Sequence, residues 1–261
     1  MARVYPLFSS SKGNATFIGN PSAGILIDAG VSCKRLLDAF DISGIAHNAV
    51  KAIFITHEHG DHIYGLSVFS RRFNVPVYSQ EATLEYLINR NHISPLSSAE
   101  VISNKGVEAA GMHVKCFSTP HDTTQSCGYS VFTADDKKIT VCTDLGGITP
   151  TVSENLLGSD LVLLESNYDE MMLKNGKYPY MLKKRISSPN GHLENSECAK
   201  QVKALLQCGT TRVILGHLSQ ENNTPQVAEN TVLSHLSEFK RDKDYILSVA
   251  PVATSGSICI L

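Results

Sequence analysis

Short apolar, β-branched runs recur along the chain, separated by Gly, Asp and Asn turn signals and by stretches with helical spacing. VYPLF (4–8), ATFIG (15–19) and GILIDAG (24–30) read as three opening strands. SCKRLLDAF (32–40) has the spacing of a helix, with Ser32 as its N-cap. AIFITH (52–57) reads as a buried strand, and a helix is predicted from near His62 to Phe73. PVYS (76–79) is a short strand before the helix EATLEYLINR (81–90). The middle is strand-rich, through VISNKGVEAAGMHVKCFSTPH, QSCGYSVFTADDKKITVCTD and LVLLES, with a hairpin turn at ADDKK (134–138). The last third alternates again: helix NSECAKQVKALLQCG, strand TRVILGH, helix TPQVAENTVLSHLSEF, then strands YILSV and SICIL. The two halves share a plan, strands first and strand–helix alternation after, with no linker between them. This pattern predicts one α/β domain over residues 1–261, two sheets face to face with helices outside.

Composition narrows the function. With 42% hydrophobic and 18% charged residues among 261, a large core can form and the composition is that of a folded rather than a disordered chain. Lys plus Arg is 23 and Asp plus Glu is 25, a net charge of −2, which excludes capture of nucleic acid by bulk positive charge but not by a local basic groove. No apolar run approaches a membrane span, so no membrane partner is expected. The N-terminus MARVYPLFSSSKGN does not read as a signal peptide, and the expected location is the cytoplasm. Seven scattered cysteines, with no CxxC pair, argue against a disulfide framework or a zinc ribbon.

The sharpest chemical feature is THEHGDH at 56–62, where His57, His59, Asp61 and His62 fall within six positions directly after an apolar strand. In extended chain, residues two apart share a side, so His57 and His59 can converge on one ion. Asp61 and His62, where the chain turns into a helix, can face a second. Imidazole with carboxylate suits zinc, iron or manganese rather than calcium or magnesium. The alternative is a polar loop that happens to be rich in His.

His57-x-His59-x-Asp61-His62 resembles the signature of the metallo-β-lactamase superfamily. The rest of that family's motif series follows in order: Asp28 in LIDAG, His121 in FSTPHD, Asp144 in TVCTDLGG and His217 in VILGHLS. Taken singly, Asp28 could end a strand, His121 could belong to a loop, Asp144 could cap a turn and His217 could be a strand-end His. The resemblance implies a four-layer αββα sandwich of two mixed sheets. It also implies His57, His59 and His121 on one metal, Asp61, His62 and His217 on a second, and Asp144 bridging. Asp28 would orient the ligands from behind. Two such cations make a bridging water acidic enough to be hydroxide near neutral pH and stabilise a charged phosphoryl or acyl oxygen. Asp61 could also orient that nucleophile.

Several departures narrow the branch. Asp144 stands where common zinc β-lactamases have Cys, and His59 where flavodiiron oxygen reductases have Glu. His121 to Asp144 spans 23 positions, short for the tRNA-gripping arm of RNase Z, and Asp144 to His217 spans 73, short for the inserted domain of RNase J. The stretch ESNYDEMMLKNGKYPYMLKKRISSPNGHLENSECA (165–199), the following GHLSQENN and the early SSSKGNA look like the YycJ (WalJ) group of small metallo-β-lactamase-fold proteins. That likeness implies a metal-dependent 5′ to 3′ DNA exonuclease, with Glu194 a departure where Ser is expected.

RNase Z-like nucleases have a His comparable to His192, which protonates the leaving oxygen; His192 is therefore expected as general acid, against a helix-start His bonded to backbone. Arg185 could fork onto phosphate oxygens, whereas Lys183 and Lys184 read as a solvated helix face. Asn222 and Asn14 could line the substrate path, or Asn222 could cap a helix and Asn14 could belong to a plain turn; Tyr168 and Asp169 receive no role. The reading is a hydrolase with two divalent transition-metal ions (Zn, Mn or Fe), cleaving phosphodiesters of nucleic acid, DNA ahead of RNA. The alternatives are a hydrolase of a small ester, thioester, lactone or cyclic phosphodiester, and a non-enzymatic metal-dependent regulator.

Overall fold

The computed structural model describes residues 3–93, 98–256 and 258–260. In chain order the elements are β1 (Arg3–Ser10), β2 (Gly13–Asn20), β3 (Ala23–Ile27), α1 (Cys33–Ser43), β4 (Val50–Phe54), α2 (Gly60–Ile63), α3 (Leu66–Phe73), β5 (Val77–Ser79), α4 (Glu81–Asn89), β6 (Ala99–Val101), β7 (Val107–Ala109), β8 (Met112–Ser118), β9 (Cys127–Phe132), β10 (Lys138–Cys142), α5 (Pro150–Leu156), β11 (Leu161–Glu165), α6 (Glu170–Asn175), α7 (Tyr180–Ile186), α8 (Asn195–Gln207), β12 (Arg212–Gly216), α9 (Pro225–His235), β13 (Ile246–Val249) and β14 (Cys259–Ile260). They form two seven-stranded sheets, ordered β14-β1-β2-β3-β4-β5-β6 and β13-β12-β11-β10-β9-β8-β7. Each is mixed: β3 to β6 run parallel beside an antiparallel β1–β2–β3 meander, and β10 to β13 run parallel beside antiparallel β7 to β10.

The strands read as nearly continuous apolar runs because both faces are buried. Ile25 and Ile27 of β3 face the core between the sheets, with Val141 of β10, Leu163 of β11 and Ile214 of β12. Leu26 between them turns the other way, onto Phe40 of α1 and Phe69 of α3. On the far side Val162, Leu164, Val213 and Leu215 pack on Val202 and Leu205 of α8 and Val232 of α9. Three cores between four layers give the αββα sandwich.

Two expectations are corrected. The helix predicted from His62 to Phe73 is two helices, α2 and α3, broken at Tyr64-Gly65. A Cβ on Gly65 would lie 2.1 Å from the Val31 carbonyl, and the Gly65 N–H donates to the Ala29 carbonyl, so the chain is bent there against the β3–α1 loop. The helix predicted over 224–239 stops at His235. Two helices, α5 and α6, lay in stretches with no helix assigned, while α7 carries Lys183 and Lys184, read as a helix face. For the strand read in SICIL, Cys259 and Ile260 form β14, while Ser257 and Leu261, like Met1 and Ala2 of the N-terminal stretch, lie outside the described residues. All seven cysteines are free; Cys33, Cys127, Cys142 and Cys198 are buried and Cys208 is exposed. Among the described residues no helix is long and apolar enough to cross a membrane.

Parallel strands deliver their carboxyl ends to one edge of the sandwich. Asp28 follows β3, His57 follows β4, Asp144 follows β10, Glu165 ends β11 and His217 follows β12. In open α/β sheets, ligands bind at such an edge.

Candidate metal centre

Three of these strand-end residues have left-handed backbone: Asp28 at φ 62°, Asp144 at 59° and His217 at 53°. That conformation is uncommon outside glycine and costs of order 1–3 kcal/mol where the surroundings enforce it. Here it turns three side chains off their strands into one buried space.

His57, His59 and His121 come together, with ring centroids 4.7, 5.1 and 5.2 Å apart pairwise. Strand periodicity does not bring His57 and His59 together, because β4 ends at Phe54; the loop into α2 does. Asp61, His62 and His217 form the neighbouring group, and Asp144 adjoins both. Asp144 Oδ2 is 3.2 Å from His62 Nε2, and Oδ1 is 3.3 Å from His217 Nδ1 and 3.7 Å from His121 Nε2. Each group offers ligand atoms within 4.8 Å of one another.

The imidazoles are held from behind. His62 Nδ1 is 2.8 Å from Asp28 Oδ2, and Asp28 also accepts from the Thr56 N–H and hydroxyl. His57 Nδ1 meets the Thr56 hydroxyl at 3.0 Å. His121 Nδ1 meets the Gly191 carbonyl at 2.9 Å. His217 Nδ1 meets Glu165 Oε1 at 2.8 Å. The opposite atoms, Nε2 of His57, His121 and His217, are buried with no hydrogen-bond partner, as is Asp144 Oδ2. A buried polar atom left unpaired costs about 1–3 kcal/mol, and four together at the meeting point of His and Asp side chains fit a divalent metal site.

The electrostatics agree. Burial lowers the pKa of His57 well below the ordinary value and also lowers that of His59, keeping both neutral, as a ligand must be. Burial would also neutralise His62 and His217, but the carboxylates prevail: Asp144, Asp28 and Asp61 raise His62 well above its usual range, and Asp144, Asp61 and Glu165 raise His217 to about 10. Against their own burial, Asp144 and Asp61 are held well below the carboxylate range, Asp144 chiefly by His217 and His62, and Asp61 chiefly by His62. The carboxylates thus favour positive charge within the cluster, as a cation site requires.

Glu165 was not singled out from the sequence. It is fully buried; Oε1 meets Nδ1 of both His217 and His192 at 2.8 Å, and Oε2 accepts from the Leu145 and Leu193 N–H groups at 2.9 and 3.1 Å. Burial raises its pKa, but His192 and His217 hold it at about 2. The signal was a carboxylate ending the wholly apolar run LVLLE; β11 lies between β10 and β12, so Glu165 stands between the strands carrying Asp144 and His217. Glu165→Gln is expected to weaken metal binding about 10–100-fold and to cost about 1–3 kcal/mol of stability, because an amide cannot accept all four hydrogen bonds. Competition with a metal chelator and thermal melting measure the two effects.

His192 lies between α7 and α8, its ring 5.1 Å from His121 and 5.4 Å from His217. Its loop needs Gly191, where a Cβ would stand 2.2 Å from the Ile186 carbonyl. The three residues expected at the substrate have partners within the protein or are buried. Asn14 is buried and gives its amide to Asp61 Oδ2 at 3.1 Å and to the Ser10 carbonyl, and meets His62 Nε2 at 3.0 Å. Asn222 is 1% exposed and packs against Gly176. The Arg185 fork is engaged by Asp122, through Nε to Oδ2 and Nη2 to Oδ1, which ties α7 to the His121 loop. Glu194, the departure from the group's pattern, caps α8 by accepting from the Ser196 N–H, and Asp169 caps α6.

Comparison with known proteins agrees with the geometry. Residues 24–218 match the family described as Beta-lactamase superfamily domain. The chain is 33% identical over 236 residues to Exodeoxyribonuclease YycJ of Bacillus anthracis, covering 89% of this chain and 88% of that one. It is 31% identical over 235 residues to Exodeoxyribonuclease WalJ of Streptococcus pneumoniae, covering 89% and 87%. Among solved structures it superposes on the metallo-β-lactamase fold protein YhfI of Bacillus subtilis with a TM-score of 0.74 at 14% identity, covering 99% of this chain and 98% of that one.

Proposed function

The chain belongs to the beta-lactamase superfamily, and we propose that within it the protein is a two-metal nuclease removing nucleotides from the 5′ end of DNA, a single domain over residues 1–261 acting in the cytoplasm. One observation carries this reading: a ring of buried, partnerless imidazole nitrogens directly beside the Glu165–His192 pair. The first supplies a metal site and the second a held proton donor. The identity with two exodeoxyribonucleases supports DNA as the substrate.

On this reading His57, His59 and His121 hold one ion, Asp61, His62 and His217 the other, and Asp144 serves both; zinc, manganese and iron suit these donors. Bound ions supply a water of lowered pKa and charge stabilisation at the phosphoryl oxygens. The chain's own residues do the rest. Asp28 and Thr56 keep His62 and His57 in place, and Asn14 aims Asp61, which orients the attacking water. His192, fixed at Nδ1 by Glu165, gives a proton to the departing 3′ oxygen, because an alkoxide leaves poorly. Burial lowers the His192 pKa, but Glu165 and Asp144 outweigh it and raise it, which favours the acid form.

The test is end-labelled, 5′-phosphorylated duplex DNA with manganese- or zinc-loaded protein and Asp61→Ala as the blank. Mononucleotide release absent from the blank is expected. No release from protein holding two ions per chain would instead favour hydrolysis of a small ester, thioester, lactone or cyclic phosphodiester.

A further inference from the structure

Two depressions flank the ligand cluster, and their linings differ in charge. One, of about 850 Å³, opens at His192 and mixes Lys174, Lys183 and Lys184 with Glu170, Glu194 and Glu197. The other, of about 500 Å³, opens at Asp61 and Gly60 and is lined by Ser11, Lys12, Ser32, Arg35 and Tyr64, with Asp61 its one carboxylate. Among the described residues neither Lys12 nor Arg35 makes an ion pair; Arg35 lies over the Phe8 ring at 4.7 Å. Tyr64, which directly follows α2, is 74% exposed.

We propose that the cleft beside Asp61 carries the retained DNA strand and that the groove beside His192 takes the departing 5′-terminal nucleotide. The assignment rests on the nuclease reading above. In the reaction, the water oxygen bonds to phosphorus and the P–O3′ bond breaks. Its electron pair goes to O3′, which takes the proton of His192, and the water's proton passes to solvent. The phosphate stays on the 5′ oxygen of the retained strand. His192 lines the larger groove, so the 3′ oxygen and its nucleoside leave there. The phosphate and the strand attached to it then extend away from His192, toward Asp61. A run of phosphates needs cations in excess of carboxylates, which the cleft has with Lys12 and Arg35 against Asp61, and which the other groove, with three lysines against three glutamates, does not. An exposed tyrosine beside a backbone track is a stacking platform for bases of any sequence.

The test uses the metal-loaded full chain and a long 5′-phosphorylated oligonucleotide. Lys12 and Arg35 are exposed, so Lys12→Ala/Arg35→Ala keeps the fold, which thermal melting verifies. KM is expected to rise about tenfold with kcat changed less than about threefold, and the slope of log KM against log salt to fall by about 1.5, the loss of two phosphate contacts. Tyr64→Ala raises KM about three- to tenfold, and Tyr64→Phe restores it. An unchanged salt slope in Lys12→Ala/Arg35→Ala, with the loss appearing in Lys183→Ala/Lys184→Ala instead, overturns the assignment and puts the strand in the other groove. Wild-type protein that hydrolyses bis(p-nitrophenyl) phosphate but no DNA overturns the nuclease reading itself, and the strand assignment with it.

Discussion

Asp144→Asn is expected to reduce DNA hydrolysis by about a thousandfold or more, equivalent to about 4 kcal/mol or more in the barrier, and to remove the stabilisation that metal gives the wild type. Asp144 is 2% exposed and its carboxylate reaches both imidazole groups, so losing its charge weakens both sites at once. Asparagine is the informative replacement because it keeps the shape and tolerates the φ of 59°, whereas alanine adds backbone strain. A ligand that binds only the native state at a hundred times its Kd stabilises by about 2.7 kcal/mol. For a chain of this size that amounts to roughly 5–10 °C in Tm on adding manganese or zinc. Melting with and without metal should show this rise in the wild type and little of it in Asp144→Asn. A variant that keeps both the rise and the activity would show that Asp144 holds no metal.

His192→Ala is expected to lower kcat on DNA by about 10²–10⁴-fold while two metals stay bound. The diagnostic is the leaving group. A p-nitrophenolate departs without protonation, so hydrolysis of bis(p-nitrophenyl) phosphate should fall by less than about tenfold in the same variant. His192 is part-exposed and touches its surroundings through Nδ1 to Glu165, so its loss frees one Glu165 bond but leaves those to His217, Leu145 and Leu193. Equal loss on both substrates would mean that His192 organises the site without donating a proton.

The metal-ligand candidates were legible because the fold puts functional groups at strand ends, where an apolar run breaks off at His or Asp. His57 to His62 are close in sequence, and Asp28, His121, Asp144 and His217 each follow a strand. Glu165 was not legible: a Glu ending LVLLE resembles an ordinary exit to solvent, and its burial follows from β11 lying between two parallel neighbours. The partners of Asn14 were hidden for the opposite reason. It stands in a polar turn sequence, SSSKGN, but the turn folds back over Asp61 and buries its amide. Arg185 showed its charge but not its partner, since Asp122 lies 63 residues away on another loop. The break between α2 and α3 escaped because Gly65 is tolerable in a helix, and the close approach of the Val31 carbonyl exists in space alone.

The proposed dependence of nucleotide release on two metals held by this cluster is read by titrating manganese into metal-free protein while following mononucleotide release from 5′-labelled duplex. No release is expected without metal, and the rate is expected to saturate as the second equivalent per chain binds. Release from metal-free protein, full activity at one equivalent, or two bound ions with no release would each contradict that dependence.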